Sequence, residues 1–168
     1  MAVTGDGGMG AEPDAQQSFH ARARRYCELL EALGRDEPTD ARQLASALGE
    51  LYAAATQLPH RSPADVATEP AAPPDSTAVR HALQAVFGEL DRYWTVFDPG
   101  HRDEPVEASL ADDLADVYSD VKQGLMVLDE TGDMDEATWH WRDSFWSHWG
   151  RHATEALRAM HNRTQESG

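Results

Sequence analysis

The chain has 168 residues, 40% of them hydrophobic, and a formal net charge of −16. This length and composition fit one globular domain with a substantial core, and they exclude a mainly disordered chain. No stretch approaches the roughly 20 apolar residues of a membrane span, and 30 acids against 14 bases disfavour direct binding to nucleic acid or anionic membranes.

Residues 1–14 are rich in glycine, have no apolar periodicity and are predicted to be a disordered tail. They also lack the basic region followed by an apolar one that marks a secretory signal. The single cysteine, Cys27, cannot form an internal disulfide and is predicted to be a small core residue. We therefore expect a cytoplasmic protein with one helical domain over residues 15–165.

Two amphipathic helices are predicted before a proline-rich segment. Apolar side chains at helical spacing mark the first over 19–33 and the second over 44–58. Pro38 lies near the start of the second helix, and Pro59 ends it. Residues 59–76 contain five prolines and few large apolar side chains, which is typical of a linker or a long loop.

Three further helices are predicted after this segment. Their apolar stripes cover residues 79–94, 110–128 and about 133–163, with Ser109 and Asp133 as N-terminal caps of the last two. The alternation that would indicate strands is absent. The sequence therefore predicts an all-α bundle of about five helices with antiparallel packing and no sheet, because amphipathic helices bury their stripes against one another.

The predicted fifth helix carries two histidines four residues apart. A helical wheel at about 100° per residue places His148 and His152 close to Trp141, in the middle of the buried stripe. Trp139 and Trp146 lie on a second apolar face. A helix this apolar is predicted to be central in the bundle or to form an interface.

An acidic row on the fourth helix, formed by Asp113, Asp116 and Asp120, would face these histidines if the two helices pack antiparallel. Two histidines at i, i+4 with carboxylates from a facing helix can bind zinc or another divalent metal. The candidate ligands are His148, His152, Asp113 and Asp116. An alternative role for the same residues is acid–base catalysis without a metal. The preferred interpretation is structural, with histidines that donate to carboxylates, so no cofactor is predicted.

Residues 98–136 concentrate the negative charge, with thirteen acidic side chains against two basic ones. The favoured function is a non-enzymatic module that binds a protein partner, basic in character if it docks on this acidic face. Candidate contacts are Trp139, Trp146, Asp112 and Asp120. A solvated face is the simpler explanation of the charge, and a weaker alternative is an acidic DNA mimic that occupies a basic groove.

Four motifs together resemble one bacterial family. They are FHARARRYCELLEAL (19–33), RYWTVFDP (92–99), SLADDLADVYSDVKQGL (109–125) and WHWRDSFWSHWGRHATEALRAMH (139–161). The family is domain of unknown function 5063, which the chain resembles over residues 18–161. The resemblance implies a small, cytoplasmic, all-helical protein, and it implies no activity, cofactor or catalytic residue.

Overall fold

The chain folds mainly into helices, and a computed structural model describes residues 14–35, 40–61 and 72–164. Most of the predicted tail (1–13), Pro38 and the middle of the proline-rich segment (62–71) lie outside these ranges. The elements in chain order are α1 (Ala15–Leu33), α2 (Ala41–Ala55), α3 (Thr77–Phe87), a 3-10 turn (Gly88–Asp91), β1 (Arg92–Thr95), β2 (Val106–Ser109), α4 (Leu110–Thr131), α5 (Met134–Ser144), a π-helical turn (Phe145–Trp149) and α6 (Gly150–Thr164).

In the described ranges, a hydrophobic core takes side chains from each of α1 to α6, so the predicted helical bundle is confirmed in its main feature. Its largest fully buried members include Phe19, Tyr26, Trp141 and Trp149. The Tyr26 hydroxyl donates to the Leu114 carbonyl at 3.0 Å, which satisfies its polar atom inside the core. None of the helices in the described ranges is both long and apolar enough to cross a membrane.

A two-stranded antiparallel sheet corrects the prediction that the fold has none. Strand β1 pairs with β2 so that Arg92 lies opposite Ser109 and Thr95 opposite Val106. Each strand has only four residues, the lower limit at which alternation is readable. The predicted third helix also ran too far, because α3 ends before Gly88, whose φ of 51° is a conformation that favours glycine.

The N-terminus of α4 is fixed by two side chains, and this sets the position of the acidic row. Ser109 Oγ accepts from the Asp112 amide at 3.1 Å, which confirms the predicted cap. The buried Asp91 carboxylate accepts from Ser109 Oγ and from the Ala111 amide, 2.7 Å away. A negative charge at a helix N-terminus is favourable because it faces the positive end of the helix dipole. The predicted cap of the next helix, Asp133, is confirmed too.

The predicted fifth helix is interrupted by the π-helical turn that separates α5 from α6. The Gly150 amide donates to the Phe145 carbonyl five residues earlier. A Cβ at Gly150 would lie 2.5 Å from that oxygen, so the wide turn requires a glycine at this position. The extra residue in the turn brings Trp149 into the buried stripe with Trp141 and turns His148 away from the core.

Candidate metal centre

Helix α4 runs antiparallel to α5 and α6, as predicted, and its acidic row faces the two histidines. Asp113, near the start of α4, contacts His152, and Asp120, two turns later, contacts His148. The wheel prediction that both histidines lie in the middle of the buried stripe is wrong for His148. The side chain of His148 is 47% exposed and that of His152 is 17% exposed, because the π turn rotates this part of the helix relative to Trp141.

Each histidine has its own carboxylate partner at Nδ1. His152 Nδ1 lies 2.7 Å from Asp113 Oδ1, and His148 Nδ1 lies 2.8 Å from Asp120 Oδ2. The hydrogen bond to Asp113 raises the pKa of His152 above its usual range, although burial opposes the shift. Burial raises the pKa of Asp120, and the hydrogen bond with His148 limits that rise. A carboxylate at Nδ1 fixes the orientation of each ring.

A tyrosine from the hairpin completes the surroundings of Asp113. The Tyr93 hydroxyl donates to Asp113 Oδ2, so the two carboxylate oxygens have different partners. It also lies 3.3 Å from Glu155 Oε2. Burial and these carboxylates raise the pKa of Tyr93, which keeps the hydroxyl neutral and able to donate. Sequence reasoning missed this residue because it assigned Tyr93 to the third helix.

A third carboxylate, Asp116, lies close to both histidines, whose rings are in edge-to-face contact. His152 Nε2 is 3.9 Å from Asp116 Oδ2. One ligand atom from each of Asp116, His148 and His152 falls within 4.8 Å of the others, which is close enough for all three to hold one metal ion. Arg80 pairs with Asp116 at 3.5 Å and with Asp112 at 2.6 Å, and therefore helps to orient the Asp116 side chain.

The predicted ligands thus fall into two sets, an inner group that could contact a metal ion and outer carboxylates that contact the histidines. His148, His152 and Asp116 form the inner group. Asp113 is outside it and contacts Nδ1 of His152. Asp120, which was predicted to contact a partner protein, contacts Nδ1 of His148 in the same way. Metal-bound histidines in proteins almost always donate their second ring N–H to such an outer carboxylate or carbonyl. The arrangement therefore resembles the ligands and outer carboxylates of a divalent-metal site.

The other predicted partner contacts lie in different surroundings. Trp146 is 67% exposed and, with the half-buried Trp139, lines a shallow cleft together with Arg61 and Arg142. Asp112 is paired with Arg80. Several acids of α4 therefore pair with side chains of the same chain, which reduces the negative charge that this helix presents to a basic partner.

The cysteine is structural, as the sequence indicated. Cys27 is 2% exposed in the core cluster, and burial raises the pKa of its thiol. A nucleophilic or metal-binding cysteine needs an accessible thiolate. Cys27 therefore contributes packing rather than chemistry.

Comparisons with known proteins agree with the resemblance noted in the four motifs. The family model described as "Domain of unknown function (DUF5063)" matches residues 11–165. The crystal structure of protein BF1032 from Bacteroides fragilis superposes with a TM-score of 0.70 at 20% sequence identity, covering 89% of this chain and 92% of that one. This likeness shows the fold alone. None of the curated proteins compared with the chain matches it.

Proposed function

Because the chain belongs to the family described as Domain of unknown function (DUF5063), which carries no assigned activity, we propose its function from the geometry between α4 and α6. The protein binds a divalent transition-metal ion through His148, His152 and Asp116. Zinc is the first candidate, since imidazole nitrogen and carboxylate oxygen are ligands that zinc accepts, although other divalent metals accept them too.

The observation that carries the proposal is that each histidine has a separate carboxylate at Nδ1, at 2.7 Å and 2.8 Å, while Asp116 lies beside both rings. A structural role accounts for His152, which is mostly buried and pairs with Asp113. For the half-exposed His148, a structural role leaves only a surface ion pair with Asp120, which contributes little to stability. Metal binding explains both pairs, because outer carboxylates orient metal-ligating imidazoles and make them more basic. The π turn at His148 agrees with this proposal, since such turns are frequent at functional sites.

A set of three protein ligands is more typical of a catalytic metal site than of a structural one. Structural zinc sites close all four positions with side chains, whereas catalytic sites keep at least one position for water or substrate. The exposure of His148 gives solvent a route to the group. The proposed activity is therefore metal-assisted hydrolysis, in which a zinc ion held by these residues would lower the pKa of a bound water towards about 7.

Calorimetric titration of zinc into tag-free, metal-stripped protein tests the proposal. We expect one zinc ion per chain in the wild type and a strong loss of affinity in Asp116→Asn, which removes a ligand charge. Asp120→Asn should weaken binding about 10-fold to 100-fold, the usual effect of losing an outer carboxylate. Affinity should also fall at acid pH, since both imidazoles must be neutral to bind metal.

Asp112→Asn is the matched control. Asp112 shares Arg80 with Asp116 but makes no contact with either histidine among the hydrogen bonds and ion pairs of the described residues. The variant should therefore bind zinc like the wild type. Equal weakening in Asp112→Asn and Asp116→Asn would mean that zinc binds the acidic surface without a defined site, and no binding in the wild type would reject the proposal directly.

A protein-binding role is a second candidate, and the exposed Trp146 favours it. Tryptophan and arginine are enriched at the centres of protein interfaces, and both line the cleft beside Trp139. The two candidates are separable, because zinc titration probes the group of Asp116, His148 and His152, to which the tryptophan pair does not belong.

A further inference from the structure

We infer that a cleft between the hairpin and α6 binds the oxyanion group of a small molecule, a phosphate or a carboxylate. The cleft holds about 220 Å³, which suits a small group rather than a drug-sized ligand. Residues that line it include Thr95, Phe97, Arg151, Thr154, Glu155 and Arg158.

Two arginines in this cleft are held in place by neutral neighbours. Arg158 Nη2 donates to Thr95 Oγ1 at 2.9 Å, and the guanidinium carbon of Arg151 lies 4.6 Å from the centre of the Phe97 ring. Neither arginine has a carboxylate within 4 Å in the part of the chain that the structure describes, although acids outnumber bases by 30 to 14. Both positive charges therefore remain available to a ligand.

The chemistry of these side chains selects an oxyanion. A guanidinium presents its N–H groups in a planar fork that matches two oxygens of a phosphate or carboxylate. Because Arg151 and Arg158 are already held by the hairpin, less side-chain entropy is lost when a ligand binds. The Phe97 ring is 66% exposed and offers a flat apolar surface to the remainder of the ligand.

Glu155 opposes anion binding, because its negative charge repels an oxyanion in the same cleft. Its carboxylate lines the cleft, and the Tyr93 hydroxyl lies 3.3 Å from it. The same hydroxyl donates to Asp113, the partner of His152. The oxyanion cleft therefore adjoins the candidate metal centre, and an anionic small molecule becomes the substrate class of that centre. This last step alone rests on the proposed function.

A two-dimensional NMR titration of metal-stripped protein tests the cleft without any metal. Inorganic phosphate and acetate are added in separate series, with chloride adjusted to hold the ionic strength constant. We expect saturable shifts of the backbone amides of residues 95–97 and 151–158 with at least one anion, and the series that saturates identifies the oxyanion. Arg151→Gln and Arg158→Gln should each raise the apparent Kd about tenfold, the loss of one charge-assisted contact. Glu155→Gln should lower it.

Arg142→Gln is the matched control, because it removes the same charge from the different cleft beside Trp146. It should leave the titration unchanged, and the dispersion of the spectra shows that each variant is folded. Shifts that never saturate, or an Arg142→Gln variant that weakens as much as Arg158→Gln, would overturn the inference. Such a result would leave zinc binding untouched, so it is distinguishable from a failure of the proposed function.

Discussion

Zinc is expected to stabilise the wild-type chain by about 2.7 kcal/mol when its free concentration is 100 times its Kd, because it binds the folded state and not the unfolded one. His148→Gln should abolish this gain. In the absence of metal the same substitution should change the free energy of unfolding by less than about 0.5 kcal/mol, since His148 is half exposed. Urea unfolding of both proteins, with and without zinc, measures the four values.

His101→Gln is the control for this experiment. His101 is also an exposed histidine with an aspartate at Nδ1, because its ring lies 2.5 Å from Asp98 Oδ2. It has no third ligand among the described groups that could hold a metal ion. The variant should therefore keep the full zinc effect. If zinc stabilises His148→Gln as much as the wild type, the ion binds elsewhere.

Gly124→Ala is expected to lower the free energy of unfolding by about 2 kcal/mol. A Cβ at Gly124 would overlap the indole of Trp141, which is fully buried. The indole cannot move freely, since its Nε1 donates to the Val121 carbonyl at 3.0 Å and its ring packs on Phe19. Overpacking costs about 1–3 kcal/mol and a strained hydrogen bond adds about 1, while the helix propensity of alanine returns about 1.

Gly49→Ala provides the same substitution without the clash. Gly49 lies in the interior of α2, and the nearest atom to its added Cβ is a methyl carbon of Leu157 at 4.0 Å. This variant should be stabilised by about 0.5–1 kcal/mol. Thermal or urea unfolding compares both variants with the wild type. A Gly124→Ala protein as stable as Gly49→Ala would contradict the close packing of α4 on α5.

Much of the fold and part of the site could be predicted from the sequence, because both depend on local periodicity. The apolar stripes and the capping side chains Ser109 and Asp133 place the helices. Asp116 and Asp120 are four residues apart, as are His148 and His152, so antiparallel packing of α4 on the last helix brings the two pairs together. The proximity of these acids and imidazoles could therefore be predicted from the sequence.

The exact roles within the site could not be predicted, because they depend on two non-local features. A π turn adds a residue to one turn of the helix, and an ideal wheel therefore placed His148 in the core and missed the burial of Trp149. The short hairpin carries Tyr93 to Asp113 from a segment that helical periodicity assigned to the third helix. Both features are set by tertiary packing, so the division into inner ligands and outer carboxylates is visible only in the fold.

Elemental analysis of the full chain, purified without an affinity tag and without chelator, is the most direct test for a metal centre between α4 and α6. We expect close to one transition-metal ion per chain in the wild type, and much less in a protein that carries both His148→Gln and His152→Gln. The same double variant should remain helical by circular dichroism. Metal-free wild-type protein that also fails to take up zinc, or equal metal content in the two proteins, would contradict a metal centre between α4 and α6.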